Sequence, residues 1–378
     1  MDDIERGITS LIHKNLNSNK VILIYGTRRV GKTRLIQKIK QDFEGHSVLF
    51  NGEDLEVQEI FSRRTFENYR RLIGDATLVM VDEAQAIPEI GTHLKFMIDS
   101  FPKITIIATG SSSFDLVNKS GEPLTGRNYQ YLLFPVSYGE LMKHYGFATA
   151  RQQLDDILIF GSYPEVIKMN VNEDRVNYLK GMVQNYLLKD IFMYEAIKNS
   201  NKIFDLLKLL AYQIGNEVSL EELGKNLGIS KNTVSKYLDL LTKVFVIFRV
   251  GGFSSNLRKE VVKSSKWYFY DNGIRNAIIG DFNPPATRND TGQLWENFCF
   301  YERMKFTKYQ NQSNDYYFWR TYDQQEIDMI EKTNTELNAF EFKWKDKKGS
   351  KAPAFFSSNY PAAPYKLISK NNIDDFIS

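Results

Sequence analysis

Apolar runs alternate with segments of helical periodicity over the first 110 residues. Residues 21–25, 47–50, 78–81 and 104–109 are short runs rich in apolar and β-branched side chains. Residues 34–43 instead space their apolar side chains as one face of a helix does. Unbroken apolar strands that alternate with helices are typical of a parallel sheet covered on both faces. The pattern therefore predicts an α/β fold with a doubly wound parallel sheet that binds its ligand at the carboxyl ends of the strands.

Helical periodicity also marks the start of the chain and the region after residue 136. One face of a predicted scaffold helix over residues 3–16 carries Ile4, Ile8, Leu11, Ile12 and Leu16. Further helical patterns cover residues 138–145, 151–160 and 174–194. Gly161 and Pro164 interrupt them, because both residues break helices. We predict a helical lid over residues 137–200, after a first domain that ends at residue 136.

Three short helices followed by two strands are predicted in the next region. The helical patterns cover residues 203–214, 220–227 and 232–241. A glycine turn at Gly228 precedes the third helix, and Ser230 is placed to cap it. Residues 244–250 and 266–270 are typical of strands. This order predicts a winged helix-turn-helix over residues 201–272.

The last hundred residues mix helix and strand. Residues 292–305 have helical spacing, residues 326–330 lead into an apolar run, and residues 340–344 alternate as a strand does. Glu341 and Lys343 therefore share one face of that strand. We predict a fourth region, a separate α/β domain, over residues 273–378.

Composition limits the classes of protein to which this chain can belong. With 378 residues, 42% of them hydrophobic and 25% charged, the chain should form two or three globular domains. The lone cysteine, Cys299, excludes an internal disulfide framework, and four scattered histidines form no zinc-type cluster. The acidic start lacks a signal-peptide core and no run is long enough to span a bilayer, so we expect a cytoplasmic protein without membrane contact. A net charge of +3 does not by itself imply nucleic acid.

Residues 26–33 match the phosphate-binding pattern G-x-x-x-x-G-K-[ST]. The pattern lies between a predicted strand and a predicted helix, as a P-loop does, so backbone N–H groups and the helix N-terminus can hold phosphates. Lys32 would reach the outer phosphates of ATP, and Thr33 would hold magnesium. The predicted ATP contacts are Gly26, Arg29, Val30, Gly31, Lys32, Thr33 and Arg34.

The apolar run 78–81 ends in Asp82 and Glu83, which is typical of a Walker B strand. Asp82 would contact the magnesium shell, and Glu83 would polarise the attacking water, the role that distinguishes a hydrolase from a passive nucleotide binder. A surface turn that carries Asp-Glu is the alternative. The buried strand before it and the P-loop upstream favour the catalytic interpretation.

Two further polar positions are candidates for catalysis. Ser111 or Ser112, after the run 104–109, could sense the γ-phosphate, although a serine-rich turn explains them equally well. Arg127 precedes a strand over residues 129–134 and could neutralise transition-state charge, in its own subunit or in a neighbour. A surface arginine is the alternative.

Basic residues are frequent in the predicted winged helix. They are Lys225, Lys231, Lys236, Lys243, Arg249, Arg258, Lys259, Lys263 and Lys266. This bias suits contact with the phosphates of DNA or RNA. The alternative is that the region packs domains together and that its lysines serve solubility.

The C-terminal region carries a pattern of charges that nucleases use. Asp328 is followed thirteen residues later by Glu341-x-Lys343 on the next predicted strand, an arrangement that can hold magnesium and activate water. A strand with its charges turned to solvent is the alternative.

Six motifs follow one another in the order of a known family. They are residues 25–33, 81–85, 124–127, 161–165, 295–297 and 340–343. The chain resembles the prokaryotic AAA+-superfamily ATPases in which a P-loop domain precedes a winged helix and a C-terminal domain of unknown function similar to PD-(D/E)XK nucleases. The resemblance implies an ATPase that uses ATP and magnesium, with a nuclease-like centre at Glu296, Asp328, Glu341 and Lys343. Ser162 departs from the family's second glycine, and no proline precedes Asp328.

Two functions remain open from the sequence. One is an ATPase that acts on nucleic acid; the other is a nucleotide-controlled switch that recruits a protein partner and retains an inactive nuclease-like domain. Either can be an oligomer.

Overall fold

The computed structural model of the chain describes residues 4–111, 124–187, 200–254, 265–345 and 351–377. Two compact units are present. The first comprises Met1–Phe134 with Lys243–Phe245, and the second comprises Pro135–Thr242 with Val246–Ser378. Ser112, Arg258, Lys259 and Lys263, which the sequence singled out, lie outside the described residues.

The first unit is built on a five-stranded parallel sheet in the order β2-β3-β4-β1-β5. Its strands are β1 (Val21–Tyr25), β2 (Ser47–Asn51), β3 (Leu78–Asp82), β4 (Thr105–Gly110) and β5 (Asn128–Leu132). Its helices are Thr9–Lys14, Lys32–Asp42, Leu55–Ser62, Phe66–Ile73 and Ile90–Ser100, with a 3-10 helix at Ala84–Ala86.

Burial in this sheet follows the apolar patterns of the strands. Every residue of β1, β3 and β4 is buried, because these central strands are covered on both faces. Strands β2 and β5 are the two edges of the sheet and are only partly buried. The α/β prediction with a parallel sheet is confirmed. The predicted helix over residues 3–16 is shorter and spans Thr9–Lys14.

The second unit contains a seven-stranded mixed sheet in the order β12-β11-β10-β9-β7-β8-β6. Its strands are β6 (Glu217–Val218), β7 (Ile247–Gly252), β8 (Ser265–Phe269), β9 (Asp315–Arg320), β10 (Glu326–Lys332), β11 (Leu337–Phe342) and β12 (Tyr365–Ile368). The helices in the remainder of the chain are Tyr138–Tyr145, Phe147–Gln152, Leu154–Phe160, Pro164–Lys168, Asn172–Gly181, the π-helix Met182–Leu187, Ser200–Tyr212, Leu220–Leu227, Lys231–Lys243, Asn272–Ile279, the 3-10 helix Pro285–Thr287, Thr291–Tyr309, Ala354–Asn359 and Ile373–Phe376.

The region predicted as a winged helix shares this sheet with the C-terminal region. Strands β7 and β8 form an antiparallel pair, and β7 also pairs in parallel with β9. The boundary predicted between residues 272 and 273 therefore falls between strands of one sheet. Helices Leu220–Leu227 and Lys231–Lys243 are joined by a tight turn, with Gly228 in the left-handed conformation.

Asp271 is the centre of a buried polar network in the second unit. Its carboxylate caps the helix Asn272–Ile279 by accepting from the backbone N–H of Ile274, and it also accepts from the N–H of Ser162 at 2.8 Å. A Cβ on Gly161 would lie 2.0 Å from Oδ1 of Asp271, and the φ of Gly161 is 72°. Only glycine fits this position. The Gly161-Ser162 step of the family motif thus has a structural role in this chain.

Two oppositely charged side chains complete the network. Nζ of Lys305 donates to Oε1 of Glu302 at 2.7 Å, to the carbonyl of Val136 and to Oγ of Ser162. Oε2 of Glu302 accepts from the N–H of Tyr138 at 2.7 Å. Lys305 and Glu302 are at most 1% exposed. Because removal of one partner would leave a buried uncompensated charge, this pair ties residues 136–162 to the helix Thr291–Tyr309.

The network makes stability depend on pH. Burial raises the pKa of Asp271 from 3.8 to about 6, against the opposing hydrogen bond from Ser162 and the charge of Lys305. The folded state therefore binds this proton more tightly than the unfolded chain. The contribution of Asp271 to stability is complete below pH 4 and is lost as pH rises through about 6. In urea titrations we expect Asp271→Asn to remove a pH-dependent change of roughly 3 kcal/mol in the free energy of unfolding.

Asp315→Asn is the matched control, since Asp315 is exposed in the same unit. Its free energy of unfolding should follow the parental pH dependence. If Asp271→Asn also follows it between pH 4 and 7, Asp271 does not titrate as described.

No helix in the described ranges is both long and apolar enough to cross a membrane.

Candidate nucleotide site

Residues 26–31 form a loop between the last residue of β1 and the helix Lys32–Asp42. Gly26 and Gly31 have φ of 154° and 100°, and Arg29 is also left-handed at 65°. A Cβ on Gly26 would lie 2.4 Å from the carbonyl oxygen of Leu133, so this glycine lets two backbones meet. The helix has no side-chain cap at its start. Its first N–H groups are therefore suited to donate hydrogen bonds to an anionic ligand.

Lys32 lies inside the loop rather than in solvent. Its Nζ donates to the carbonyls of Gly26 at 2.8 Å and Thr27 at 3.0 Å, and the residue is 4% exposed. Arg6 donates to the carbonyl of Val30 at 3.0 Å and also contacts the carbonyl of Phe134. Arg6 thus braces the loop from outside. Arg6 could not be recognised from the sequence, because an isolated arginine near the start of the chain has no characteristic spacing to the P-loop.

Asp82 lies at the carboxyl end of β3, and the loop follows the carboxyl end of β1. Its Oδ1 accepts from the hydroxyl of Thr109 and from the N–H of Glu83 at 3.1 Å. Thr109 is fully buried in β4, next to Ile24 of β1. Sequence analysis missed Thr109, although a polar residue at the end of an apolar strand beside β1 was a usable signal. Ser111, the predicted residue, is 5% exposed and follows β4 directly.

Glu83 has a left-handed backbone, with φ of 47°. Such conformations are uncommon for residues other than glycine and cluster at functional sites. Its Oε2 accepts from Nε2 of Gln85, and its N–H also contacts the hydroxyl of Thr109 at 3.2 Å. Gly52, the residue after β2, approaches closely, since a Cβ there would lie 2.5 Å from the carbonyl oxygen of Glu83. Both the side chain and the backbone of Glu83 are therefore held in place.

The structure places Arg127 at the amino ends of the strands, opposite the P-loop. Its carbonyl accepts from the N–H of Val21, the first residue of β1, whereas the P-loop follows the last. Four strand steps, or about 13 Å, separate these levels. Its guanidinium pairs with Asp99 at 2.9 Å. A catalytic role for Arg127 on the P-loop of its own subunit does not fit this geometry, because the side chain starts at the amino ends of the strands.

Thr33 and Arg34 are the second and third residues of the helix after the loop, and both are exposed. They lie in the first turn of the helix, at the carboxyl ends of the strands, as Asp82 and Glu83 do. All of the predicted ATP and magnesium contacts therefore lie at the carboxyl ends of the strands. Arg127 lies at their amino ends.

The four residues of the predicted nuclease-like centre lie near one another in the second unit. Oδ2 of Asp328 accepts from the N–H of Phe342 at 2.8 Å, and Nζ of Lys343 lies 2.6 Å from Oε1 of Glu341. Glu296, on the helix Thr291–Tyr309, accepts from the hydroxyl of Tyr268 at 2.6 Å. Four carboxyl groups, those of Glu296, Glu326, Asp328 and Glu341, form what we call the C-terminal cluster.

Burial, with charge repulsion added at Asp328, raises pKa values in the C-terminal cluster. Burial raises the pKa of Asp328 well above its ordinary value, and the charges of Glu296 and Glu341 add to this. Burial also raises the pKa of Glu296. Within the parts of the chain that the structure describes, no group of three or more histidine, cysteine or acidic residues is arranged to hold a metal ion. The nuclease-like centre at Glu296, Asp328, Glu341 and Lys343 therefore stays a prediction.

A glycine loop and a buried lysine at the end of one parallel strand, with an Asp-Glu pair two strands away, define a P-loop ATPase domain. Three family models match the chain. They are an AAA domain over residues 18–142, a domain of unknown function (DUF8612) over residues 151–284 and a domain of unknown function (DUF4143) over residues 291–375. The first match contains the whole nucleotide site and supports an AAA-type ATPase. None of the three descriptions mentions a winged helix or a nuclease, so these stay predictions.

Two relatives from different organisms match most of this chain. An uncharacterized protein of Mycobacterium tuberculosis is 26% identical over 341 residues, which cover 89% of this chain and 73% of the relative. An uncharacterized protein of Methanocaldococcus jannaschii is 26% identical over 321 residues, which cover 79% and 70%.

Among solved structures, a Walker-type ATPase of Pyrococcus abyssi is similar, with a TM-score of 0.53 and 17% identity. The match covers 74% of this chain and 96% of that protein. At this identity the similarity establishes the fold alone, and it agrees with the parallel P-loop sheet.

Proposed function

We propose that this protein binds ATP with magnesium at the site formed by the P-loop, Asp82 and Glu83, and hydrolyses ATP there. The observation that carries this proposal is Lys32, whose buried ammonium already lies inside the P-loop, where it donates to the carbonyls of Gly26 and Thr27. Donors fixed before the ligand arrives stabilise phosphate charge without reorganisation. The donor set fits magnesium bound to a nucleotide, since Thr33 and Asp82 would supply oxygen ligands and the ion would neutralise phosphate charge.

The residues of the site divide the work between binding and proton transfer. Lys32 would exchange the carbonyls of Gly26 and Thr27 for phosphate oxygens, which are stronger acceptors because they are charged. Glu83 would accept the proton of the attacking water, while Gln85 holds one carboxylate oxygen in place. Thr109 would fix the rotamer of Asp82 through its hydroxyl.

We further propose that hydrolysis responds to nucleic acid through the helix Lys231–Lys243. Lys225, Lys231, Lys236 and Arg249 are exposed in this part of the chain, as phosphate contacts require. One observation favours the other candidate, a switch that recruits a protein. Lys231 is engaged by Glu221 at 2.5 Å, which reduces the positive charge at the start of the helix.

ATP turnover measured with single-stranded and duplex DNA and RNA distinguishes the two candidates. For the nucleic-acid function we expect stimulation of several fold that weakens as salt rises, because phosphate contacts release counterions. Lys236→Glu should reduce this stimulation, whereas Lys332→Glu, an exposed lysine on β10, should not. A turnover rate that no nucleic acid changes would favour the protein-recruiting switch.

A further inference from the structure

Lys266 extends into the C-terminal cluster from a strand outside it. Its Nζ lies 2.5 Å from Oε1 of Glu326 and 3.4 Å from Oε1 of Glu296, and its side chain is 3% exposed. The sequence placed Lys266 among the basic residues of the predicted winged helix. Burial in two ion pairs removes it from that surface.

The surroundings of Lys266 fix its position. It lies on β8 two residues before Tyr268, so both side chains share one face of the strand, and both reach Oε1 of Glu296. The ring of Phe318 lies 5.3 Å from the ammonium, within the range of a cation–π contact. Burial lowers the pKa of Lys266, but the charges of Glu296 and Glu326 outweigh burial and raise it overall. The side chain therefore remains an ammonium at neutral pH.

The other carboxyl groups of the cluster also have protein donors. Glu341 pairs with Lys343, and Asp328 accepts from the N–H of Phe342. A divalent ion needs several carboxylate oxygens directed at one point. In this cluster the oxygens of Glu296, Glu326 and Glu341 are directed at ammonium groups instead. An ammonium and a divalent cation cannot occupy the same small space, because they repel each other.

We propose that Lys266 is the resident cation of the C-terminal cluster: its ammonium occupies the place of a divalent metal, so that the cluster is closed to metal-dependent nuclease chemistry. The charge that a metal would neutralise is neutralised by the protein itself. The ATPase proposed above neither requires nor contradicts this role, since Lys32 and Lys266 belong to different units.

Removal of the ammonium should open the cluster to metal. In Lys266→Met the side chain keeps its unbranched shape, is one atom shorter and loses its charge. The buried carboxylates then repel one another, so they should bind a divalent cation where one is offered. We expect 1 mM Mn²⁺ to raise the melting temperature of nucleotide-free Lys266→Met by about 3–5 °C, as ligands of the folded state do. The parent should not respond through this cluster.

Two further variants assign the effect to the cluster. Lys266→Met combined with Glu296→Gln should lose the Mn²⁺ response, because one of the carboxylates is gone. Lys332→Met, at an exposed position of β10, should behave as the parent does. The P-loop and Asp82 are intact in all of these proteins, so a weak response at the nucleotide site would be common to them.

A folded Lys266→Met protein that ignores Mn²⁺ would overturn the proposal. It would also be overturned by a parental Mn²⁺ response that Glu296→Gln abolishes, because the cluster would then bind metal beside Lys266. If Lys266→Met does not fold, Mn²⁺ binding to the parent and to Glu296→Gln, followed by electron paramagnetic resonance, decides the question. Equal binding supports a resident ammonium, and weaker binding by Glu296→Gln contradicts it.

Discussion

Glu83→Gln is expected to slow ATP turnover by about a hundredfold or more while ATP affinity stays near that of the parent. The amide is nearly the size of the carboxylate but cannot accept the proton of the attacking water. Nucleotide binding rests on the P-loop and Lys32, which the substitution leaves in place. Single-turnover hydrolysis and equilibrium binding of a fluorescent ATP analogue separate the two effects, because they report the chemical step and the affinity independently.

Glu89→Gln provides a closely matched control. Glu89 is another glutamate with a left-handed backbone, with φ of 51°, six residues further along the chain, and its side chain is 70% exposed. Its variant should turn over ATP at the parental rate. Parental turnover in Glu83→Gln itself would show that another group activates the water.

Lys32→Ala is expected to weaken ATP binding by about a hundredfold or more. Hydrogen bonds to charged groups contribute about 1.5–3 kcal/mol, and the lysine would contact more than one phosphate oxygen. The apolar core of the first unit does not include Lys32, so its fold should persist. Isothermal titration with ATP and magnesium measures the affinity, and circular dichroism follows the fold.

Lys38→Ala, an exposed lysine on the same helix, serves as the comparison. It removes one positive charge at a position away from the loop and should bind ATP as the parent does. Equal affinity of Lys32→Ala and Lys38→Ala would refute the assignment of residues 26–33 as the phosphate site.

The nucleotide site could be predicted from the sequence because the residues that mark it are close together along the chain. Strand, loop and helix are consecutive in the P-loop, and Asp82 and Glu83 directly end a buried strand. Thr109 and Arg6 act from elements that are distant in the sequence, so their roles depend on strand order and on the path of the N-terminal segment. Arg127 shows the same limit. Its position before a strand could be predicted, but whether it lies at the amino or the carboxyl ends of the sheet's strands could not.

The second unit departs further from its sequence patterns. Strands β7 and β8 were predicted as a wing of their own, yet β7 pairs with β9, more than sixty residues later. Alternation along residues 340–344 showed which charges share a face, but not that Lys266 reaches the same cluster. Such long-range pairings are set by tertiary packing, for which short-range periodicity carries no information.

The shared sheet of the second unit has a consequence for how this chain can be divided or exchanged with its relatives. The two matched regions of unknown function end and begin at residues 284 and 291, between strands that pair through Gly251 and Tyr317. A chain cut there would leave the hydrogen-bonding groups at the end of β7 unpaired on one side and those of β9 unpaired on the other. Open edges of this kind invite association with other chains. The two regions are therefore expected to be inherited and transplanted together, as one unit of evolution.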